Sequence, residues 1–480
     1  MKKNSNIIYK DYIFIFIISF LFLIFFSTST SPLFKNYEDD SGIFITVGRA
    51  MNNGKIIYKD IFDHKGPIFF FIQAIGQKIH DGKMGIFLLQ VLSLSITNYF
   101  LLKTCLILTN KSKSYISLLV GLLLLANFIE EGNLTEEFSL PFISICMYIA
   151  IKWYQNKVYS KNIYLYSLIF GLTFSSISLI RLNNAIPIAG MLIAIIFIFV
   201  KNKKIKELLK CGLFFILGFI IIYVPILLYF YIKSAVKEMI YATFIHNLLY
   251  LKYNKDLKNI LLLFPSILLF ICCIKNEKNN IIIIFNYIFT IVSFFIGRNF
   301  IHYYIILIPV SVILFAIFID RNFKEKIIMM VYSYVLFAFF ITPFFKITTY
   351  FLIQSNEEKN NLNYIFKNIP EEDKDSILVY NSLSGFIYAE GNIIPAYKYA
   401  FIQNNLFQTN NSIYIETYEY IKNNNIKWII STDFSKINKR NEIENYILKN
   451  YKLIYSTQIN YINNSKIDSI INLYKLITQE

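Results

Sequence analysis

The strongest constraint on this chain is a series of long apolar runs, broken by short charged connections, from its N-terminus to about residue 346. A helix needs ~20 apolar residues to cross the hydrocarbon core of a bilayer. Runs near 11–31, 84–109, 114–130, 137–152, 163–180, 185–200, 210–232, 259–274, 281–297, 301–319 and 327–346 approach that length. The expected fold is an α-helical polytopic membrane protein with about eleven transmembrane helices. Across 480 residues, 56% are hydrophobic, which suits that class.

The charges sort by side. Lys and Arg collect in cytoplasmic connections of membrane proteins. Here they fill the N-terminus (Lys2, Lys3, Lys10) and every second connection after it: Lys111/Lys113, Lys152/Lys157/Lys161, Lys201/Lys203/Lys204/Lys206, Lys275/Lys278 and Arg321/Lys324/Lys326. The formal net charge of +16 therefore reads as an orientation signal and gives no support for a nucleic-acid partner. Ile13 to Phe26, followed by Ser27-Thr28-Ser29, has the outline of a signal peptide. With a weak small-residue site and many spans beyond, it reads as a signal anchor. Cys105, Cys146, Cys211, Cys272 and Cys273 fall in apolar runs without metal-ligand spacing and read as buried thiols.

The alternate connections carry the chemistry. They hold Glu38-Asp39-Asp40, Asp63-His64-Lys65, Glu130-Glu131-Gly132-Asn133-Leu134-Thr135-Glu136-Glu137, Arg181-Leu182-Asn183-Asn184, His246-Asn247 and Gly297-Arg298-Asn299-Phe300-Ile301-His302-Tyr303. All lie on one face if the span count holds, which points to one extracytoplasmic site assembled from many loops. Charge beside a membrane is costly and is kept for function. Asp39 and Asp40 supply a candidate general base; the alternative is a solvated loop edge or a helix cap at Asp40. Lys65, with Asp63 and His64 beside it, supplies a candidate phosphate-binding group.

The pattern Asp40-Ser41-Gly42-Ile43-Phe44, Gly48-Arg49-Ala50-Met51, Gly54, Tyr58-Lys59-Asp60 and Asp63-His64-Lys65-Gly66-Pro67 resembles the first outer loop of the GT-C glycosyltransferases. It is most similar to the bacterial branch related to protein O-mannosyltransferases and the lipid A aminoarabinose transferase. The resemblance covers roughly residues 10–345. It implies a GT-C-like membrane transferase with a catalytic outer loop at 32–83. It further implies that Asp40, with Asp39 as neighbour or alternate, is the catalytic acid residue and that Lys65 binds the lipid phosphate. This chain has Lys-Gly-Pro where the family has Lys-Pro-Pro, and Asp-Ser where the family has Asp-Glu. The second change leaves open which aspartate is the base and whether a divalent metal takes part; no cofactor is otherwise implied.

Glu136 and Glu137 either cap the next span or orient a substrate, whereas Glu130 and Glu131 read as plain loop charge. Arg181, at a span end, either snorkels to headgroups or grips a phosphate bidentately. Arg298 and His302 with Tyr303 form a cationic cluster suited to a phosphate leaving group. His246-Asn247, with Tyr241 and Tyr250, either lines an acceptor groove or packs at the interface.

Beyond the last run, residues 347–480 turn polar. Strand-like runs at Ser376 to Tyr380, Lys427 to Ser431 and Lys452 to Ser456 alternate with helix-like segments at Ile413 to Lys422 and Glu442 to Lys449. This reads as a small C-terminal α/β extracytoplasmic domain. Its two Asn-x-Ser matches, at Asn410 and Asn463, are what an Asn-rich chain produces by coincidence.

The function expected is transfer of a sugar from a polyprenyl-phosphate donor to an envelope glycan, lipid or protein acceptor at the outer membrane face. The partners are then that donor, the acceptor and membrane lipid. A polysaccharide polymerase or ligase, or a lipid-linked glycan transporter, would share the bulk properties. The first would be expected to concentrate its charges in a late outer loop, and the second to show internal repeats. No Walker loop, zinc-protease motif or GxSxG elbow is present. The alternating lysines predict a cytoplasmic N-terminus and an exterior C-terminus in a bacterial plasma membrane. Reporter fusions after residues 110, 205 and 325 should report cytoplasm, and one after 400 the exterior; a cytoplasmic signal at 400 would separate the site loops.

Overall fold

The computed structural model describes residues 9–35, 37–155, 162–250, 258–273, 281–295, 300–320, 356–380, 384–401, 403, 406–407, 410–423, 426–434, 441–461 and 467–477. Its membrane part is built from α1 (Tyr9–Phe26), α4 (Lys83–Leu108), α5 (Lys111–Phe128), α6 (Thr135–Gln155), α7 (Ile163–Ser178), α8 (Ile186–Lys201), α9 (Ile205–Ile232), α12 (Phe264–Cys273), α13 (Ile281–Ser293) and α14 (Ile308–Ile319). The expected run 327–346 lies outside the described residues. By length and composition, Tyr9–Phe26, Lys83–Leu108, Leu182–Lys201, Ile205–Ile232 and Ile301–Ile319 are able to cross a membrane.

These helices pack around one apolar core that includes Phe87, Leu101, Leu125, Ile143, Met191 and Ile313. Cys105, Cys146, Cys211 and Cys273 are buried free thiols, and Cys272 is partly covered. In contrast, α9 turns Leu213, Ile216, Ile220, Val224 and Leu228 outward, as a lipid-facing helix does. At the lysine-rich end, Lys111 pairs with Asp11 at 2.9 Å and Lys113 with Asp320 at 3.2 Å, tying α5 to α1 and to the end of α14.

The segment expected as an outer loop, 32–83, is largely helical. It contains α2 (Asp39–Asn52) and α3 (Pro67–Ile79). Asp39 and Asp40 occupy the first turn of α2, where carboxylates complement the positive end of the helix dipole. Pro67 opens α3; its fixed φ suits a first helical position, and its missing N–H costs nothing there. Between α9 and α12 lie α10 (Val236–Ile240), a π-helical turn (Tyr241–Ile245) and α11 (His246–Tyr250).

The C-terminal part contains a mixed sheet of β1 (Ile377–Tyr380), β2 (Trp428–Thr432), β3 (Tyr451–Tyr461) and β4 (Ile467–Leu476). Its order is β1-β2-β4-β3, with β1 and β2 parallel and β4 antiparallel to both its neighbours. Sequence reading anticipated β1, β2 and β3 and the helices at Asn411–Lys422 and Glu442–Asn450; it missed β4 and the helices at Asn356–Lys367 and Ser384–Glu390. Asn410 caps the Asn411–Lys422 helix through its side chain, a structural use for that Asn-x-Ser match.

The tail is not a bead hung from the membrane part. Ile43, Phe44, Val47, Phe69 and Phe70 of α2 and α3 share a single core with Leu362, Val379, Phe386, Ile387 and Ile430 of the tail. The Phe62 N–H also donates to the Lys398 carbonyl at 2.9 Å. The segment of α2 and α3 therefore lies between the bundle and the sheet.

Candidate active site

The site is built where α3 begins against the end of α7. Gly66 N–H donates to the Ile180 carbonyl at 2.9 Å, and Ile68 N–H to Leu179 at 3.0 Å. A Cβ on Gly66 would lie 2.1 Å from the Leu179 carbonyl oxygen, so only glycine permits this approach. The backbone just before it is held as firmly. Asp63 accepts the Lys65 N–H at 2.9 Å, and Tyr58, itself at φ 74°, donates its hydroxyl to the Lys65 carbonyl at 2.7 Å. Asn247 donates to the His64 carbonyl at 2.8 Å.

Lys65 is thereby aimed into a polar cluster. Its ammonium lies 3.8 Å from Asp63 Oδ1 and 4.9 Å from the Phe44 ring centroid. Burial alone would lower its pKa, but the Asp63 and Asp40 carboxylates outweigh that and raise it, so it keeps its charge. Among the described residues Lys65 Nζ has no ligand at hydrogen-bonding distance; its donors are available. Asp63 is fully buried, and desolvation pushes its carboxyl above the usual range against the pull of Lys65.

Arg181 lies at the same junction. It donates to Glu136 Oε1 at 2.6 Å, and its guanidinium sits 4.1 Å from the Tyr303 ring centroid. His302 stacks edge-on to Tyr303 and bonds Glu130 through Nδ1 at 2.6 Å. Glu130, read from sequence as plain loop charge, thus has a specific partner. Arg298 lies outside the described residues.

The carboxylates separate by environment. Asp39 accepts the Gly385 and Phe386 N–H groups at 2.9 and 3.3 Å. Burial first, and the neighbouring Asp40 second, push Asp39 up to about 7. Asp40 is exposed and takes no hydrogen bond among the described residues. Glu136 is committed to Arg181. Glu137 faces the other way, accepting from Gln90 Nε2 and Leu134 N–H, each at 2.9 Å. Its place is that of a helix-start brace.

The structure therefore brings Asp39, Asp40, Asp63, His64, Lys65, Glu136, Arg181, His302 and Tyr303 to one region and sets Glu137 back from it. Sequence reading included Tyr58, Gly66, Asn133 and Asn247 in its motifs but foresaw none of the contacts that they make here. Asn133, at φ 61°, donates to Ser41 Oγ at 2.9 Å and accepts from Gln73 at 2.7 Å, joining α2, α3 and the loop before α6. His246 sits 5.7 Å, ring to ring, from His64; burial, then the Lys65 charge, hold it down to about 4, which makes it a neutral imidazole at neutral pH. Among the described residues no three His, Cys, Asp or Glu side chains converge to hold a metal ion.

Two measurements probe this arrangement. Gly66→Pro would install the Lys-Pro-Pro of the resembling family, yet it deletes the donor to Ile180 and collides with Leu179. It should cost ~1–3 kcal/mol in thermal unfolding of the detergent-purified protein; unchanged stability would mean that this junction is not rigid. For Asp39, the folded state binds its proton more tightly than the unfolded chain. Stability is therefore lost as pH rises from the ordinary carboxylate range through about 7. Asp39→Asn should melt above wild type at about pH 8, and the gap should close towards about pH 4.

With this geometry in view, the comparisons are specific. Residues 2–353 match the profile of the competence-induced protein Ccs4 N-terminal domain. No curated protein matches the chain by sequence. Among solved structures, ArnT from Cupriavidus metallidurans bound to undecaprenyl phosphate superposes with a TM-score of 0.64 at 10% identity, covering 97% of this chain and 98% of that one. Its apo state gives 0.63 at 9% identity, with the same coverage. An Archaeoglobus fulgidus oligosaccharyltransferase, in complex with zinc and sulfate, gives 0.50 at 12% identity, over 87% of this chain and 68% of that one. The fold is that of the GT-C glycosyltransferases.

Proposed function

We propose that this chain, which belongs to the competence-induced protein Ccs4 N-terminal domain family and has the GT-C fold, is a polyprenyl-phosphate-dependent glycosyltransferase of the bacterial plasma membrane. It moves a hexosyl or pentosyl unit to an envelope glycan, lipid or protein acceptor at the outer face. The observation that carries this reading is an exposed carboxylate, Asp40, with no hydrogen bond among the described residues, in the field of a charged lysine, Lys65, near the clamped Arg181. The undecaprenyl phosphate named for the ArnT structure supports the donor class.

In this reading the transferase domain is 1–346, with its outer segment at 32–83, and the C-terminal domain is 347–480. Asp40 accepts the proton of the acceptor hydroxyl as that oxygen bonds to the anomeric carbon. The bond from the anomeric carbon to the phosphate oxygen breaks, and its electron pair leaves with the polyprenyl phosphate. Lys65 and Arg181 stabilise that departing charge from positions fixed before the reaction begins, and Arg298, outside the described residues, is proposed as a further contributor by its sequence alone. Tyr303, against the Arg181 guanidinium, and His302, edge-on to Tyr303, flank these cations, and His64 precedes Lys65 in the chain.

The experiment is mass analysis of envelope glycans in a deletion strain complemented with variants at equal membrane level. Asp40→Asn should lower the protein-dependent product by roughly 10²–10⁴-fold, the usual cost of losing a general acid–base group. Lys65→Met should weaken binding of undecaprenyl phosphate to the purified protein strongly, while Lys65→Arg should retain part of it. Arg181→Lys should be poorly tolerated, because an ammonium cannot reproduce the planar fork. Full activity of Asp40→Asn would overturn the mechanism. Unchanged lipid-phosphate binding in Lys65→Met and Arg181→Met would place the phosphate elsewhere.

A further inference from the structure

The C-terminal domain meets α2 through one short helix, Ser384–Glu390, and the contact is unusually close. A Cβ on Gly385 would lie 2.0 Å from the Asp39 carbonyl oxygen, and one on Gly42 2.4 Å from the Gly385 carbonyl oxygen. Backbone therefore lies directly on backbone, and neither position has room for a side chain.

Both ends of that helix are held by residues of α2. A helix leaves its first N–H groups without partners inside the helix. The side chain just ahead of a helix usually accepts one of them, from the second or third residue. Gly385 and Phe386 are the second and third residues here, and both donate to Asp39 Oδ1, at 2.9 and 3.3 Å. Asp39 thus takes the part of a cap from 346 positions away along the chain. At the far end Arg49, also on α2, donates through one guanidinium nitrogen to the Ala389 carbonyl at 2.9 Å, and through Nε to Asp81 at 2.7 Å. The Tyr37 N–H donates to Glu390 Oε1 at 3.1 Å.

We propose that Asp39 is a positioning residue, which caps the tail's helix and so fixes the first turn of α2 with Asp40 left open. The inference rests on the reading of Asp40 as the base, and it makes the C-terminal domain part of the catalytic apparatus. Consecutive residues of an α-helix point ~100° apart, so seating one side chain sets the direction of the next. An unseated first turn, with its orphan N–H groups, would fray. The two aspartates then divide the work: one is spent on backbone donors, the other is left open.

The division is testable because asparagine caps a helix as well as aspartate does but cannot serve as a base. In the full-length protein, Asp39→Ala should expose the amides of 384–390 to hydrogen exchange and lower the protein-dependent glycan product at least tenfold. Its binding of undecaprenyl phosphate should stay within about threefold of wild type. Asp39→Asn should restore both amide protection and product, whereas Asp40→Asn should keep protection and lose product. Gly385→Ala, acting from the tail's side, should reproduce Asp39→Ala. If Asp39→Asn keeps amide protection yet is as inactive as Asp40→Asn, Asp39 acts in the chemistry and the proposal fails. Wild-type product from Asp39→Ala would also overturn it. If wild type itself yields no protein-dependent product, the transferase reading fails. Unchanged amide protection in Asp39→Ala would refute the cap on its own.

Discussion

The pair that the site depends on is Arg181 with Glu136, held at 2.6 Å where α6 begins and α7 has just ended. An isolated ion at the edge of an apolar bundle would be expensive, and removing either partner would strand the other charge. Paired, they become a fixed post. The Tyr303 ring lies on the guanidinium, and the Gly66 N–H closes onto the carbonyl of Ile180, one residue before Arg181. Lys65 is carried to the same place by the neighbouring backbone, so two cations from distant parts of the chain are held together without touching each other's partners.

Holding like charges together costs energy, and the scaffold supplies it in two ways. Nearby carboxylates, Asp63 and Asp40, offset the Lys65 charge. A rigid apolar core shared by α2, α3 and the C-terminal sheet fixes the backbone that presents them. That shared core also gives the tail a physical role: Phe386 and Ile387 are buried in one cluster with Ile43 and Phe44, so the tail helps to hold α2 in place.

The sequence showed the helical bundle for a clear reason: long apolar runs are dictated by the bilayer, whatever the tertiary packing. Asp40, Lys65 and Arg181 stood out because charge beside a membrane is expensive. The helix α2 did not stand out. It carries Gly42, Gly48 and the β-branched Ile43, Ile45, Thr46 and Val47, which favour helix weakly; packing on both sides makes it helical. Nothing local marked Gly385 as the partner of Gly42, or Tyr58 as the residue whose left-handed backbone lets its hydroxyl reach Lys65. The partners of Glu130 and Glu137 were hidden for the same reason: each has one far away in sequence, His302 and Gln90 respectively.

Environment also sets one carboxylate apart from the others in a site rich in acids. Asp63 is buried and turned to the Lys65 backbone, Glu136 is bound to a guanidinium, Glu137 braces the start of α6, and Asp39 meets two backbone donors. Each of these carboxylates is already committed to holding the fold. Asp40 alone among them is exposed and, among the described residues, uncommitted. A general base has to be open to its proton donor, which is why the proposed role falls to Asp40 and not to its occupied neighbours. The Lys-Gly-Pro departure follows the same logic: where a proline would only stiffen the turn, Gly66 adds an N–H that ties the segment bearing Lys65 to the segment bearing Arg181.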